Sequence, residues 1–138
     1  YIILQYLRKY PNKEFEKIFF KSPAIKMEKI FKEILLEEKF EDFEKRGYTI
    51  KNRNKKMKIP YEFYEERMNV KITPDNILIS KDIIIFHGTE DDTSLLKDIE
   101  EYEMNNIKIN KLNGAKHSFK GKYLEEMIQV MINNMQWL

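Results

Sequence analysis

The chain contains no cysteine among its 138 residues, which excludes disulfide bonds and zinc sites built on thiolates. No apolar run approaches the ~20 residues that a membrane-spanning helix needs. No basic segment followed by an apolar one opens the chain, as a secretory signal would. These absences predict a protein of a reducing compartment, the cytoplasm, without a membrane partner.

The chain also lacks a strong charge of either sign. Its 25 Lys and Arg residues nearly balance its 23 Asp and Glu residues, so its overall charge gives no indication of a nucleic-acid partner. The one basic block, "KNRNKKMK" at 51–58, contains no aromatic residue on which a base could stack. We therefore interpret this block as a solvated hairpin tip rather than a binding patch.

Apolar strands alternate with amphipathic helices along the chain. Because such alternation produces βαβ crossovers, it predicts an α/β fold with a parallel sheet. Residues 26–81 interrupt the alternation as an insertion. The predicted strands cover 15–23, 82–88 and 107–114, the predicted helices cover 1–10, 26–46, 61–68, 93–106 and 123–138, a further helix is expected to start at Thr73-Pro74, and 48–60 is predicted to form a hairpin tipped by 52–55.

Three of these helices carry more specific predictions. The opening "YIILQYLRKYP" has no N-cap residue and resembles the interior of a helix, so we expect the chain to be the later part of something longer. The 26–46 helix is expected to break near Lys39 and to end at Gly47. The last helix is predicted to bury one apolar face, made of Leu124, Met127, Ile128, Met131, Met135 and Leu138.

Polar residues with catalytic potential follow two of the predicted strands. "HGTEDD" (87–92) follows the first and "NGAKHSF" (113–119) the second. Because ligands bind at the carboxyl ends of parallel strands, Asp91 or Asp92 is expected to approach His117 there. A carboxylate beside a histidine fixes the imidazole tautomer and stabilises the imidazolium, so the histidine can act as general base for a nucleophile.

These two stretches resemble the α/β-hydrolase-fold serine hydrolases. "IIIFHGTEDD" is similar to their seventh strand and acid loop, and "LNGAKHSF" to their catalytic-histidine loop. The resemblance implies that Asp91 is the triad acid and His117 the triad base. It also implies that Asp92 flanks the acid and that His87 and Gly88 shape the turn. No cofactor and no metal is implied.

The resemblance extends over nearly the whole chain and implies the C-terminal half of an α/β-hydrolase fold. Residues 1–25 then correspond to the helix after the nucleophile elbow and the next strand. Residues 26–81 correspond to a lid insertion over an acyl pocket, like that of small dienelactone-hydrolase or serine-aminopeptidase enzymes. Residues 82–138 correspond to the acid strand, the histidine loop and the final helix.

The nucleophile of that family is missing from these residues. Its G-x-S-x-G pentapeptide does not occur. Ser22 and Ser80 lack the glycine frame, Ser94 follows the acid loop, and Ser118 adjoins the histidine. The resemblance therefore implies a hydrolase of small ester or peptide substrates by descent, active only when completed by an N-terminal half and expected to be inactive as this chain alone.

Several alternatives remain open at this point. The chain could be a split-gene or degraded remnant, or a non-catalytic interaction module of the same fold. Asp91 could be a solvated turn acid that caps the 93–106 helix, a cap that Asp92 or Thr93 could also provide. His87 is expected to be structural, satisfied by the backbone. A metal site made of His87, Asp91 and His117, or a glycosidase-like carboxylate pair within 37–44, is a less favoured hypothesis.

Overall fold

The computed structural model describes residues 3, 6, 9, 10, 17–52, 55–69, 73, 82–104 and 106–135. Most of the predicted opening helix, the continuation of the helix expected at Thr73 and the end of the last helix lie outside these residues. By its contacts the chain divides into two compact units, one made of 1–25 with 73–138 and one made of 26–72. We call them the sheet unit and the insertion unit.

The sheet unit contains three strands, β1 (Lys17–Lys21), β4 (Asp82–Gly88) and β5 (Ile107–Leu112). They are parallel, as predicted, and pair in the order β1-β4-β5. The central strand is buried along six of its seven residues, which explains its continuous apolar run. The helices of the sheet unit are α4 (Leu96–Glu100) and α5 (Lys122–Asn134).

The core of the sheet unit lies between one face of the sheet and α5. Phe86 and Leu112 are fully buried there, and Met127 and Met131 of the helix pack against their cluster. The predicted core face of α5 is correct only in part, because Leu124, Ile128 and Met135 are exposed. The helix is apolar on more than one side and the sheet covers only one, so the spacing of apolar residues could not decide which side packs against the sheet.

The insertion unit is built around aromatic rings. Phe31, Phe43 and Tyr64 form its buried cluster, with ring centroids 5.1–6.1 Å apart. Its elements are α1 (Met27–Ile30), a π-helical turn (Phe31–Leu35), α2 (Phe40–Arg46), β2 (Tyr48–Asn52), β3 (Lys56–Pro60) and α3 (Tyr61–Met68), and β2 and β3 pair as the predicted antiparallel hairpin.

Two helix predictions differ from the structure in extent. The predicted break near Lys39 is present but begins at Leu36, whose backbone is extended, and α2 ends at Gly47 in the left-handed conformation as expected. The predicted 93–106 helix is reduced to α4, since Asp91 engages the backbone before it and Met104 bridges to Ile107 after it. Among the described residues, no helix has the length and apolar character needed to cross a membrane.

Candidate active site

Residues 89–94, which we call the acid turn, follow the end of β4 and hold a buried carboxylate. Asp91 is only 4% exposed. Its Oδ1 accepts the backbone N–H groups of Thr93 and Ser94, both at 2.9 Å. These two bonds make Asp91 the residue that organises the turn. The helix that follows starts at Leu96 without a side-chain cap, so neither Asp92 nor Thr93 is the cap that the sequence suggested.

The histidine loop begins where the neighbouring strand, β5, ends. Gly114 has a φ of 80°, a left-handed conformation that glycine adopts without strain. Ala115 is fully buried beyond it, and its N–H returns to the carbonyl of Leu112 at 3.1 Å. This tight turn brings His117 back toward the end of β4.

Backbone hydrogen bonds join the acid turn to the histidine loop. The N–H of Thr89 donates to the carbonyl of Leu112 at 3.1 Å, and that of Glu90 donates to Ala115 at 3.0 Å. The N–H of Gly114 donates to the Thr89 hydroxyl at 2.8 Å. The two loops therefore form one assembly, although about 25 residues separate them in the sequence.

Gly88 permits this assembly because it has no side chain. A Cβ at this position would lie 2.1 Å from the carbonyl oxygen of Ala115, well inside the contact distance of any carbon and oxygen. The glycine of "HGTEDD" is thus required by the close approach of the histidine loop to the strand end.

The assembly brings Asp91 and His117 together, as the sequence predicted for one of the two acids. Nδ1 of His117 lies 3.0 Å from Oδ2 of Asp91. Since a carboxylate only accepts, the neutral ring donates its Nδ1–H and leaves a lone pair on Nε2. The His117 side chain is 40% exposed while that of Asp91 is fully buried. The pair has the arrangement of an oriented general base.

The environment of Asp91 favours its charged form. Burial alone would raise its pKa, but the N–H of Ser94, the ring of His117 and the N–H of Thr93 all bind the carboxylate and together lower the pKa below the ordinary value. Asp91 is therefore ionised at neutral pH and can stabilise an imidazolium at His117.

His87 lies in the same buried region, and the structure corrects part of the prediction for it. Its Nδ1 is 3.0 Å from the carbonyl oxygen of Gly88, which is the expected backbone partner. Its Nε2 has no hydrogen-bond partner among the described residues and lies 3.7 Å from Oδ2 of Asp91. The backbone therefore provides a hydrogen-bond partner for one of the two ring nitrogens, and not for both.

The other sequence candidates lie apart from the pair. Asp92 is exposed and contacts only the Thr93 hydroxyl, at 3.4 Å, among the described groups. The Ser94 hydroxyl donates to the carbonyl of Pro23 at 2.9 Å. Ser22 is buried with a positive φ of 41°, and Ser80 lies outside the described residues.

The carboxylates of 37–44 serve structural contacts in the insertion unit. Glu37 pairs with Lys51 at 2.8 Å, Glu38 pairs with Arg46, and Glu44 accepts the Tyr61 hydroxyl at 2.9 Å. No group of three His, Asp or Glu side chains in the described parts of the chain is placed to hold a metal ion.

Two contributors to the site carried little signal in the sequence. Thr89 and Ser94 are common turn residues, and their role depends on where the backbone of the other loop lies. Both lie in a polar cluster between the "HG" of the strand end and the next helix, and such a cluster after a buried strand indicates a turn. The partner atoms are remote in sequence and could not be read from it.

Neither a protein-family model nor a curated protein matches the chain, but solved structures do. It is similar to Est1E from Butyrivibrio proteoclasticus, solved with ferulic acid bound, with a TM-score of 0.73 and 15% identity over 95% of this chain and 54% of that one. It is similar to mouse alpha/beta hydrolase domain-containing protein 10, with a TM-score of 0.68 and 16% identity over 96% of this chain and 56% of that one.

A third similar structure is the monoacylglycerol lipase of Paleococcus ferrophilus, with a TM-score of 0.55 and 16% identity over 95% of this chain and 62% of that one. These likenesses confirm the predicted fold class. The chain has part of an α/β-hydrolase fold and spans about half the length of the solved structures it matches.

Proposed function

We propose that this chain supplies the acid and the base of a serine hydrolase, with Asp91 as the acid and His117 as the base. The observation that carries the proposal is the 3.0 Å contact between a fully buried carboxylate and Nδ1 of a half-exposed histidine. It lies at the carboxyl ends of parallel strands, where α/β folds bind ligands. The likeness in fold to a lipase and to an alpha/beta hydrolase domain protein supports the reaction class.

In the proposed mechanism each group has one step. Nε2 of His117 takes the proton of a serine hydroxyl as the oxygen attacks a carbonyl carbon. Asp91, kept ionised by its N–H donors, stabilises the resulting imidazolium. His117 then gives the proton to the departing alcohol or amine. Water repeats the sequence on the acyl-serine and releases the acid.

In this proposal the serine comes from outside these 138 residues. The elbow pentapeptide is absent, and the described serine near the acid, Ser94, donates its hydroxyl to Pro23. Since the oxyanion donors accompany the elbow in this fold, we propose that the chain alone does not turn over substrate. Residues 26–81 as a lid and the choice between ester and amide substrates stay predictions.

A fluorophosphonate probe tests the proposal, because it labels only a serine activated by a working base. The experiment compares the 138-residue chain with the product of the coding sequence extended upstream of Tyr1. We expect no label on the chain alone and a label on an upstream serine in the extended product. The label should be lost in His117→Gln and retained in the neighbouring exposed variant Lys116→Gln.

Three results would contradict the proposal. The first is labelling of the 138-residue chain itself, which would place an active nucleophile within it. The second is an extended product that folds but is not labelled, and the third is a start codon directly at this point. Either of the last two would favour a non-catalytic module of the same fold.

A further inference from the structure

The His87 side chain is buried, and the hydrogen-bond partner of one ring nitrogen fixes the protonation of that nitrogen. The side chain has no exposure, and Nδ1 lies 3.0 Å from the carbonyl oxygen of Gly88. A carbonyl oxygen only accepts hydrogen bonds, so Nδ1 must carry a proton. The charge of the ring then depends on whether Nε2 also carries a proton.

Nε2 of His87 faces the carboxylate on which the candidate pair depends. It lies 3.7 Å from Oδ2 of Asp91, the oxygen that His117 contacts at 3.0 Å. A neutral His87 would set a buried lone pair, with no donor among the described residues, against a carboxylate oxygen. A proton on Nε2 turns the same contact into an attraction between opposite charges.

We propose that His87 is a positioning residue that carries protons on both ring nitrogens and holds Oδ2 of Asp91 by a buried ion pair. The carboxylate is then fixed on every side. Oδ1 is held by the N–H groups of Thr93 and Ser94, and Oδ2 is held between His87 and His117. The functional meaning rests on the proposed function, but the charge state does not.

The charged side chains on the strands next to His87 have other partners, so Asp91 is the counterion of His87. On β5 its register partner is Lys111, which pairs with Glu100 of α4. On β1, Lys21 lies over the ring of Phe119, in the cluster on the opposite face of the sheet. No other charged group of the acid turn lies within an ion-pair distance of the ring among the described residues.

This arrangement has a consequence for His117. An imidazolium at His87 offsets part of the negative charge of Asp91, so the proton on His117 is held less strongly than beside an isolated carboxylate. Removal of the charge at His87 should make His117 bind its proton at higher pH.

Nitrogen-15 NMR of the imidazole rings tests the proposal directly, because the chain contains only two histidines. In the wild-type chain at pH 7 we expect both nitrogens of His87 to show the shifts of protonated nitrogen. At pH values where His117 is neutral, it should show a protonated Nδ1 and a bare Nε2. In Asp91→Asn, His87 should become singly protonated at Nδ1.

The variant His87→Gln tests the effect on the base. We expect the titration of the His117 ring to move upward by about one pH unit, the order of shift that one nearby charge produces. Lys111→Gln is the matched control on the next strand and should move it far less. Circular dichroism establishes that each variant is folded.

A bare Nε2 on His87 in the wild-type chain at pH 7 would overturn the proposal, even if no variant folded. An unchanged His117 titration in folded His87→Gln would also overturn it, because a purely structural role leaves that titration in place. Neither readout involves hydrolysis. Failure of this inference is therefore distinct from failure of the proposed function, which is judged by serine labelling.

Discussion

The acid turn of the sheet unit and the segment 37–44, which leads into α2 of the insertion unit, are both rich in carboxylates. The carboxylates of the two regions bind different kinds of group. In the acid turn, one member of the run "EDD" is buried and bound by two backbone N–H groups and by His117. Around α2, Glu37, Glu38 and Glu44 bind the side chains of a lysine, an arginine and a tyrosine. The acid turn has three carboxylates and residues 37–44 have five, but the two regions differ mainly in the environment of these groups.

The difference teaches that the backbone, rather than the density of charge, marks a candidate site. Asp91 is desolvated and still ionised because the turn after β4 aims two N–H groups at its carboxylate and His117 binds it as well. Such a group is costly to bury, and perturbed buried acids cluster at functional sites. The insertion unit instead has a buried cluster of aromatic rings, and its acids bind other side chains.

The largest expected effect separates the two sources of stability. Phe43→Ala removes a fully buried ring from the aromatic cluster, so we expect a loss of about 3–5 kcal/mol in the free energy of unfolding. Urea unfolding measures it. The ring signals of His117 should stay in place at low urea, and their disappearance with the aromatic cluster would show that the pair is not a property of the sheet unit.

The next effect compares two glycines. In Gly88→Ala the added methyl group meets the carbonyl of Ala115 at 2.1 Å, so we expect a loss of about 3 kcal/mol and displacement of His117. Gly47→Ala in the insertion unit meets nothing within 4 Å but has a φ of +76°. It should lose only about 1–2 kcal/mol. Equal losses would contradict the close approach of the two loops.

Asp91→Asn should weaken the acid turn without removing it. The amide oxygen can still accept the N–H groups of Thr93 and Ser94, but the charge-assisted bond to His117 is lost, at about 2 kcal/mol. Urea unfolding at pH 7 measures this loss. Hydrogen exchange of the Thr93 and Ser94 amides should stay slow, and rapid exchange would mean that the carboxylate charge is needed for the turn itself.

The pH dependence of stability gives a related test. Because the folded pKa of Asp91 lies below its unfolded value, its contribution is present above the ordinary carboxyl value of about 4 and is lost as pH falls through the lower folded pKa. Between pH 7 and pH 3 the wild-type chain should therefore lose more stability than Asp91→Asn does. Parallel losses would contradict the role of Asp91.

The smallest effect is expected at α2. Glu38→Gln breaks an ion pair with Arg46 at the surface, and we expect no measurable change in the urea midpoint, because water screens such pairs. It is the matched control for Asp91→Asn, since both exchange a paired acid for its amide. A loss as large as that of Asp91→Asn would remove the distinction between the two regions.

Much of this was accessible from the sequence because the relevant signals are local. The apolar run of β4, the turn glycine and the order of Asp91 before His117 predicted the parallel sheet and the pair. The contact of Nε2 of His87 with Asp91 was not predictable, since it depends on ring orientation. Which side of α5 packs against the sheet was not predictable either, because its apolar positions cover more than one face.

The most direct test of the account is ester hydrolysis by the product of the coding sequence extended upstream of Tyr1. The account predicts that His117→Gln lowers its kcat by about 10³-fold or more, as expected for loss of a triad base, while Lys116→Gln leaves kcat unchanged. A folded His117→Gln variant that hydrolyses the ester at the rate of the unaltered protein would contradict it.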